Sequence, residues 1–262
     1  VQTVPARKSL DRMNLLETTK LIKRYNGRTV VNEVSFVLAQ REVVGILGRN
    51  GAGKTTTFRM IIGMIRPESG VVTFDGFDVT NLPMYKRARR GMGYLSQEHS
   101  IFRQLTVWQN LMAILETLNI KRPERIRRAN QLLDQFGLTH VKENIASRCS
   151  GGEKRKLEIA RALVTSPKLI LLDEPFSGVD PIAVEDLQRE IRRLKEEFGK
   201  SVLITDHNVE RTLEVCDRAL IINDGLKMAE GSPKDIINNP KVKEAYLGRT
   251  FKGDEFDGDE FN

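Results

Sequence analysis

Gly48-Arg49-Asn50-Gly51-Ala52-Gly53-Lys54-Thr55 follows the apolar run Val43–Leu47 and leads into residues 54–65, whose apolar spacing is that of a helix. Glycines in such a loop let the backbone approach a ligand and aim N–H groups at phosphate oxygens, Lys54 supplies positive charge, and the Thr55 hydroxyl can ligate Mg²⁺. A buried strand before the loop and a helix after it are the context this motif requires. The helix N-terminus adds its own favourable field for anions. The stretch therefore predicts a phosphate site built from Gly48, Asn50, Gly51, Gly53, Lys54, Thr55 and Thr56.

Working outward, the other strand-like segments are residues 30–38, which alternate apolar and polar, and the short runs 71–74, 93–95, 169–172, 202–205 and 220–222. Several are separated by helical patterns, which indicates an α/β fold with a largely parallel sheet. Between residues 106 and 164 the pattern turns to helices alone, over 107–118, 124–136 and 151–164, and reads as a helical insertion into that core. At the C-terminus an acidic near-repeat over 253–262 has the composition of a solvated tail.

The chain has 262 residues and is 40% hydrophobic, enough for a substantial core. Its apolar runs fall far short of the ~20 residues a membrane-spanning helix needs, and residues 1–13 hold no apolar stretch of signal-peptide length. A cytoplasmic location is expected. The two cysteines, Cys149 and Cys216, match neither a zinc nor a redox spacing. The net charge of +7 gathers at Lys86, Arg87, Arg89 and Arg90 and again over residues 121–128, without the interleaved aromatics of a base-stacking surface. Both clusters read as solvated helix faces, and no nucleic acid partner is expected.

Two further motifs carry chemistry. The buried run 169–172 delivers Asp173 and Glu174 at its C-terminal end. Adjacent side chains point apart, so Asp173 can face a Mg²⁺ shell while Glu174 orients or activates an attacking water, two roles that phosphoryl transfer requires. The turn Ser150-Gly151-Gly152-Glu153 opens the helix over 151–164 and is itself a capping box. Capping needs neither glycine. Two glycines in a first turn cost helix stability, so their presence predicts a ligand or partner close to that backbone. Read with the phosphate loop, this turn predicts two different halves of a nucleotide site on one chain, and hence a working dimer.

In this order the phosphate loop, Gln97, Ser150 to Glu153, Asp173-Glu174, Asp180 and His207 resemble the ATP-binding cassette (ABC) ATPases over most of the chain. The resemblance implies a P-loop NTPase core of the ABC type with an antiparallel β subdomain and a helical subdomain at about 100–165, all within a domain spanning 13–250. Residues 1–12 and 251–262 would be an extension and a tail. It implies ATP and Mg²⁺ as cofactors and a head-to-tail homodimer, in which ATP on one subunit's phosphate loop is closed over by the other's Ser150, Gly151, Gly152 and Glu153. Gln97 would link Mg²⁺ and the attacking water to the helical region, Asp180 would lie in the loop crossing the dimer interface, His207 would contact the γ-phosphate, and Tyr25 would stack on adenine. Two departures stand out: Arg49 where proline is common in close relatives, and Cys149 where leucine usually precedes the serine.

The segments 87–103, 176–181, 204–208 and 246–248 are especially similar to ATPase subunits of lipopolysaccharide export transporters. That resemblance implies two membrane permease subunits above the ATPase dimer, on the cytoplasmic face of the inner membrane. Phe102 and Arg103, in the region where ABC ATPases receive the permease, are the expected contacts. Branched-chain amino acid importer ATPases have similar motifs and are the rival reading. A soluble ABC ATPase acting on DNA or ribosomes would need a long coiled coil before the second glycine turn or a second cassette, and this sequence has neither.

Overall fold

The computed structural model describes residues 14–96, 100–179 and 181–247. Gln97, Asp180 and the segments 1–12 and 251–262 lie outside the described residues.

Residues 43–47 form strand β3 (Val43–Leu47), buried along its whole length. It is preceded by a long hairpin, β1 (Asn14–Tyr25) and β2 (Arg28–Ala39), and followed by helix α1 (Lys54–Ile62). Then come β4 (Ser69–Phe74), β5 (Phe77–Asp78), α2 (Met84–Arg89) and β6 (Met92–Leu95). Helices α3 (Val107–Leu115), α4 (Arg122–Gln135) and α5 (Gly151–Leu163) intervene before β7 (Leu169–Asp173). The chain continues through α6 (Pro181–Glu196), β8 (Ser201–Asp206), α7 (Val209–Leu213), β9 (Arg218–Asn223), β10 (Leu226–Gly231), α8 (Pro233–Asn238), α9 (Pro240–Val242) and a final π-helical turn, Lys243–Leu247.

Two sheets result. One has the order β2-β1-β4-β5 and is antiparallel; the other has the order β10-β9-β3-β8-β7-β6, parallel except for β10. The period-two alternation of strand side chains distributes the core. Leu171 on β7, Leu203 on β8 and Leu220 on β9 join Phe58 and Ile61 of α1 and Leu16, Val34 and Phe36 of the antiparallel sheet in one cluster. Ile170, Leu172, Val202 and Ile204, one step out of phase, face Leu187 and Ile191 of α6 and the helical region instead. Ile221 of β9 packs with Val242 and the C-terminal helices. Thus the phosphate-loop helix is held between the two sheets.

Some boundaries differ from expectation. The first helix stops at Ile62 rather than 65 because Gly63 takes a left-handed conformation (φ 86°) and its N–H returns to the Arg59 carbonyl. The helix expected over 107–118 ends at Leu115. A larger correction concerns the basic cluster on α2. Arg87 is not on a solvated face: it is 1% exposed, and its guanidinium donates to the carbonyls of Met60, Ile61, Leu82 and Thr80. Two of these acceptors are among the last carbonyls of α1, which a helix cannot satisfy by itself. Burial pulls the Arg87 pKa down to about 10, and the Asp78 carboxylate only partly opposes that shift.

Candidate nucleotide site

Strands β3, β8 and β7 are adjacent, parallel and in register, with Leu47 opposite Asp206 and Asp173 opposite Thr205. Their C-terminal ends therefore deliver the phosphate loop, Asp206-His207 and Asp173-Glu174 to one edge of the sheet, the edge where open α/β sheets bind ligands.

Within the loop, glycine is demanded by geometry at two positions. A Cβ on Gly48 (φ 153°) would lie 2.2 Å from the Ile222 carbonyl oxygen, and one on Gly53 (φ 105°) 2.5 Å from that of Val30. Gly53 also precedes α1 without any side-chain cap, so the first N–H groups of the helix stay available for a ligand. The Lys54 side chain turns back into the loop, its Nζ donating to the Arg49 carbonyl at 3.1 Å. Burial lowers the Lys54 pKa, and the carboxylates of Glu174, Asp206 and Asp173 oppose that shift. A cation partly stripped of water and faced by carboxylates is poised to exchange its contacts for a polyanion.

The cleft in front of the loop encloses about 340 Å³ and is lined by Val30, Asn50, Gly51, Gly53, Lys54, Thr55, Thr56 and Glu174. Glu174 sits just beyond β7 in the left-handed region (φ 45°), its N–H bonded to the Thr205 carbonyl at 2.7 Å. For a side chain without glycine's freedom this conformation costs roughly 1–3 kcal/mol. The Asp173 carboxylate is 9% exposed and accepts the Thr205 hydroxyl at 2.8 Å. His207 Nδ1 stands 3.5 Å from both Glu174 Oε2 and Asp206 Oδ1.

Sequence reasoning assigns Asp206 no role, yet it organises this edge. Fully buried, it accepts the backbone N–H groups of His207 (2.8 Å), Asn208 (2.9 Å) and Phe176 (3.0 Å), fastening the segment after Glu174 to the segment bearing His207. An acid that ends the largely apolar run 202–205 was the available signal, because a charge buried there must find donors.

Seven further expected residues lie outside the lining of this cleft. Tyr25 is 45% exposed at the tip of the β1–β2 hairpin, with the Lys23 ammonium 5.5 Å from its ring centre, so it is not a core tyrosine. The same hairpin brings Val30 to the cleft wall. At α5 the capping box is complete: the Ser150 hydroxyl accepts the Glu153 N–H at 3.2 Å, and Glu153 accepts the Ser150 N–H at 2.7 Å. A Cβ on Gly151 or Gly152 would meet nothing within 4 Å, so packing inside the chain demands neither glycine. Phe102 is 46% exposed beneath the Arg161 guanidinium, 4.5 Å from its ring centre, and Arg103 beside it is exposed.

Proteins sharing this arrangement were found by comparison. Residues 31–177, more than half of the chain, match the family described as ABC transporter. The chain belongs to the ABC transporter ATP-binding family. As an ABC ATPase it hydrolyses ATP, and residues 227–252 match a second family, described as branched-chain amino acid ATP-binding cassette transporter. Among similar ABC ATPases, the lipopolysaccharide export system ATP-binding protein LptB of Haemophilus influenzae is 50% identical over 92% of this chain and 100% of its own length. That of Escherichia coli strain K12 is 48% identical with the same coverage. In structure, the ADP conformation of an ABC transporter's ATP-binding cassette superposes with a TM-score of 0.80 at 28% identity, covering 90% of this chain and 99% of that one. A dimeric post-hydrolysis cassette bound to ADP and Pi gives 0.70 at 25% identity, covering 83% and 98%. ABC ATPases of this kind bind nucleotide and work as dimers with permease partners. No helix among the described residues is long and apolar enough to cross a membrane.

Proposed function

We propose that this ATPase powers the extraction of lipopolysaccharide from the inner membrane and its export toward the outer membrane, through ATP-driven closure of a homodimer beneath two permease subunits. The observation that carries this reading is the relatives named for lipopolysaccharide export, near 50% identical over 92% of this chain and the whole of their own length. The importer reading has behind it only the match of residues 227–252 to branched-chain amino acid cassettes, a far shorter stretch, and is not favoured.

In this reading residues 13–250 are one ATPase domain. Lys54 and the free N–H groups at the start of α1 bind the phosphates, and Tyr25 stacks on adenine. The Thr55 hydroxyl and the Asp173 carboxylate, which Thr205 orients, hold Mg²⁺ together with Gln97. Held there, Mg²⁺ would supply positive charge against the nucleotide phosphates. Glu174 accepts a proton from the attacking water, and His207, beside it, donates to the γ-phosphate. Ser150, Gly151, Gly152 and Glu153 of the partner subunit close the site, with Asp180 crossing the interface. The exposed glycines support this, since α5 needs them for nothing within its own chain.

The permease docks, in this reading, at Phe102 and Arg103. Next to them a cavity of about 210 Å³ is lined by Ile62 of α1, Met84 of α2, Met92, Tyr94, Ile114 and Arg161. It joins the phosphate-loop helix to the helical region, so a segment seated there would feel both. Purification of the full-length chain from native membranes, followed by identification of the permease subunits retained with it, tests the assignment. Lipopolysaccharide export permeases are the expected result; amino-acid importer permeases would overturn it.

A further inference from the structure

Arg49 is held at both ends. Its carbonyl, inside the loop, accepts Lys54 Nζ at 3.1 Å and the Ala52 N–H at 3.1 Å. Its side chain leaves the cleft and reaches the last helical turn among the described residues, where the guanidinium lies 5.7 Å from the Tyr246 ring centre and donates to the Ala245 carbonyl. Ala245 belongs to the turn Lys243–Leu247, and the last carbonyls of a helical segment lack partners further along it and attract cations.

Tyr246 is anchored in turn. Its hydroxyl lies 3.1 Å from both the Ile222 carbonyl oxygen and Asn223 Oδ1 and donates to one at a time, while its ring packs on the cluster of Leu47, Ile221 and Val242. The Ile222 oxygen is the very atom that forbids a side chain at Gly48. Three contacts thus close a ring: the loop to the C-terminal turn, that turn to the end of β9, and the end of β9 back to the loop.

We propose that Arg49 is a positioning residue that fastens the phosphate loop to the C-terminal segment 233–247, so that this segment helps set the grip on ATP from outside the cleft. Lys54 and Tyr246 act on opposite ends of one loop residue. A loosened C-terminal turn leaves the Arg49 side chain without a seat, and the loop carbonyls and N–H groups that face phosphate lose their preorganisation. The competing account is that Arg49 attracts ATP by charge alone. Tyr246→Ala separates the two, because it changes no charge.

The test uses the full chain, with binding of a fluorescent ATP analogue and steady-state ATPase measured for Arg49→Ala, Tyr246→Ala and the double variant. Each single change is expected to weaken nucleotide binding and raise KM about 3- to 10-fold, the range of one cation–π contact and one hydrogen bond, with kcat within about 2-fold of wild type. The double variant should be no weaker than the worse single one, as for two halves of one contact. Wild-type affinity in Tyr246→Ala, or effects that multiply, would overturn the proposal in favour of charge alone. Should Tyr246→Ala fail to fold, hydrogen exchange decides. ATP should raise protection over residues 243–247 in wild type but not in Arg49→Ala, and an equal response in both would refute the link.

Discussion

Glu174 shows how a single residue's backbone can serve its side chain. Its left-handed φ of 45° is held by the bond from its N–H to Thr205, and the result places the carboxylate on the wall of the phosphate cleft, 3.5 Å from His207. Glu174→Gln keeps the shape and removes the base, so ATP binding should stay within about 2-fold of wild type while turnover falls by at least about 100-fold, the range general base catalysis supplies. Nucleotide titration beside a steady-state phosphate-release assay checks this, and normal turnover would remove Glu174 from its role. Most of this site was legible because Lys54, Thr55, Asp173 and Glu174 sit at fixed offsets from a strand that announces itself by its apolar run. Arg87 and Asp206 were not. Each is a buried charge tied partly to backbone groups on a distant segment, Met60 and Ile61 for Arg87 and Phe176 for Asp206, and the sequence does not show which distant segment will meet it.

Among the elements, α5 allows capping and function to be separated. Ser150→Ala removes the side-chain acceptor at the helix N-terminus and should cost roughly 1 kcal/mol of stability. Gly151→Ala and Gly152→Ala, with open space where each Cβ would go, should instead leave stability unchanged or raise it by about 0.5–1 kcal/mol. If that backbone contacts nucleotide on a partner, the glycine variants lose ATPase activity while melting no lower than wild type. Thermal denaturation and ATPase rates on the same samples decide, and active glycine variants would reduce the turn to a cap. Strand β1 illustrates the opposite case, an element invisible beforehand. Its pairs Leu15-Leu16 and Leu21-Ile22 break the alternation a strand should show, because register shifts and a left-handed Lys20 (φ 48°) re-phase the side chains partway along. Gly70 makes room for that irregularity, since a Cβ there would lie 2.4 Å from the Lys20 carbonyl oxygen.

For the whole molecule the decisive fact is that the cleft of one chain is lined without Ser150, Gly151, Gly152 or Glu153 among the described residues. If two chains complete each other's sites, the ATPase rate per chain should rise with protein concentration until dimers saturate. A constant specific rate across the range in which light scattering reports monomers would contradict a composite site. The sequence by itself determined the α/β class, the phosphate loop, the acidic strand end and the family, because each rests on contacts between residues near one another along the chain or on a buried strand's apolar run. Only the tertiary structure decided that Asp206 ties the Glu174 and His207 segments together, that Arg87 caps the far end of the phosphate-loop helix, and that Arg49 reaches the C-terminal turn. These contacts join segments up to 196 residues apart, and their partners are largely backbone atoms, which every residue possesses and which therefore leave no mark in the sequence.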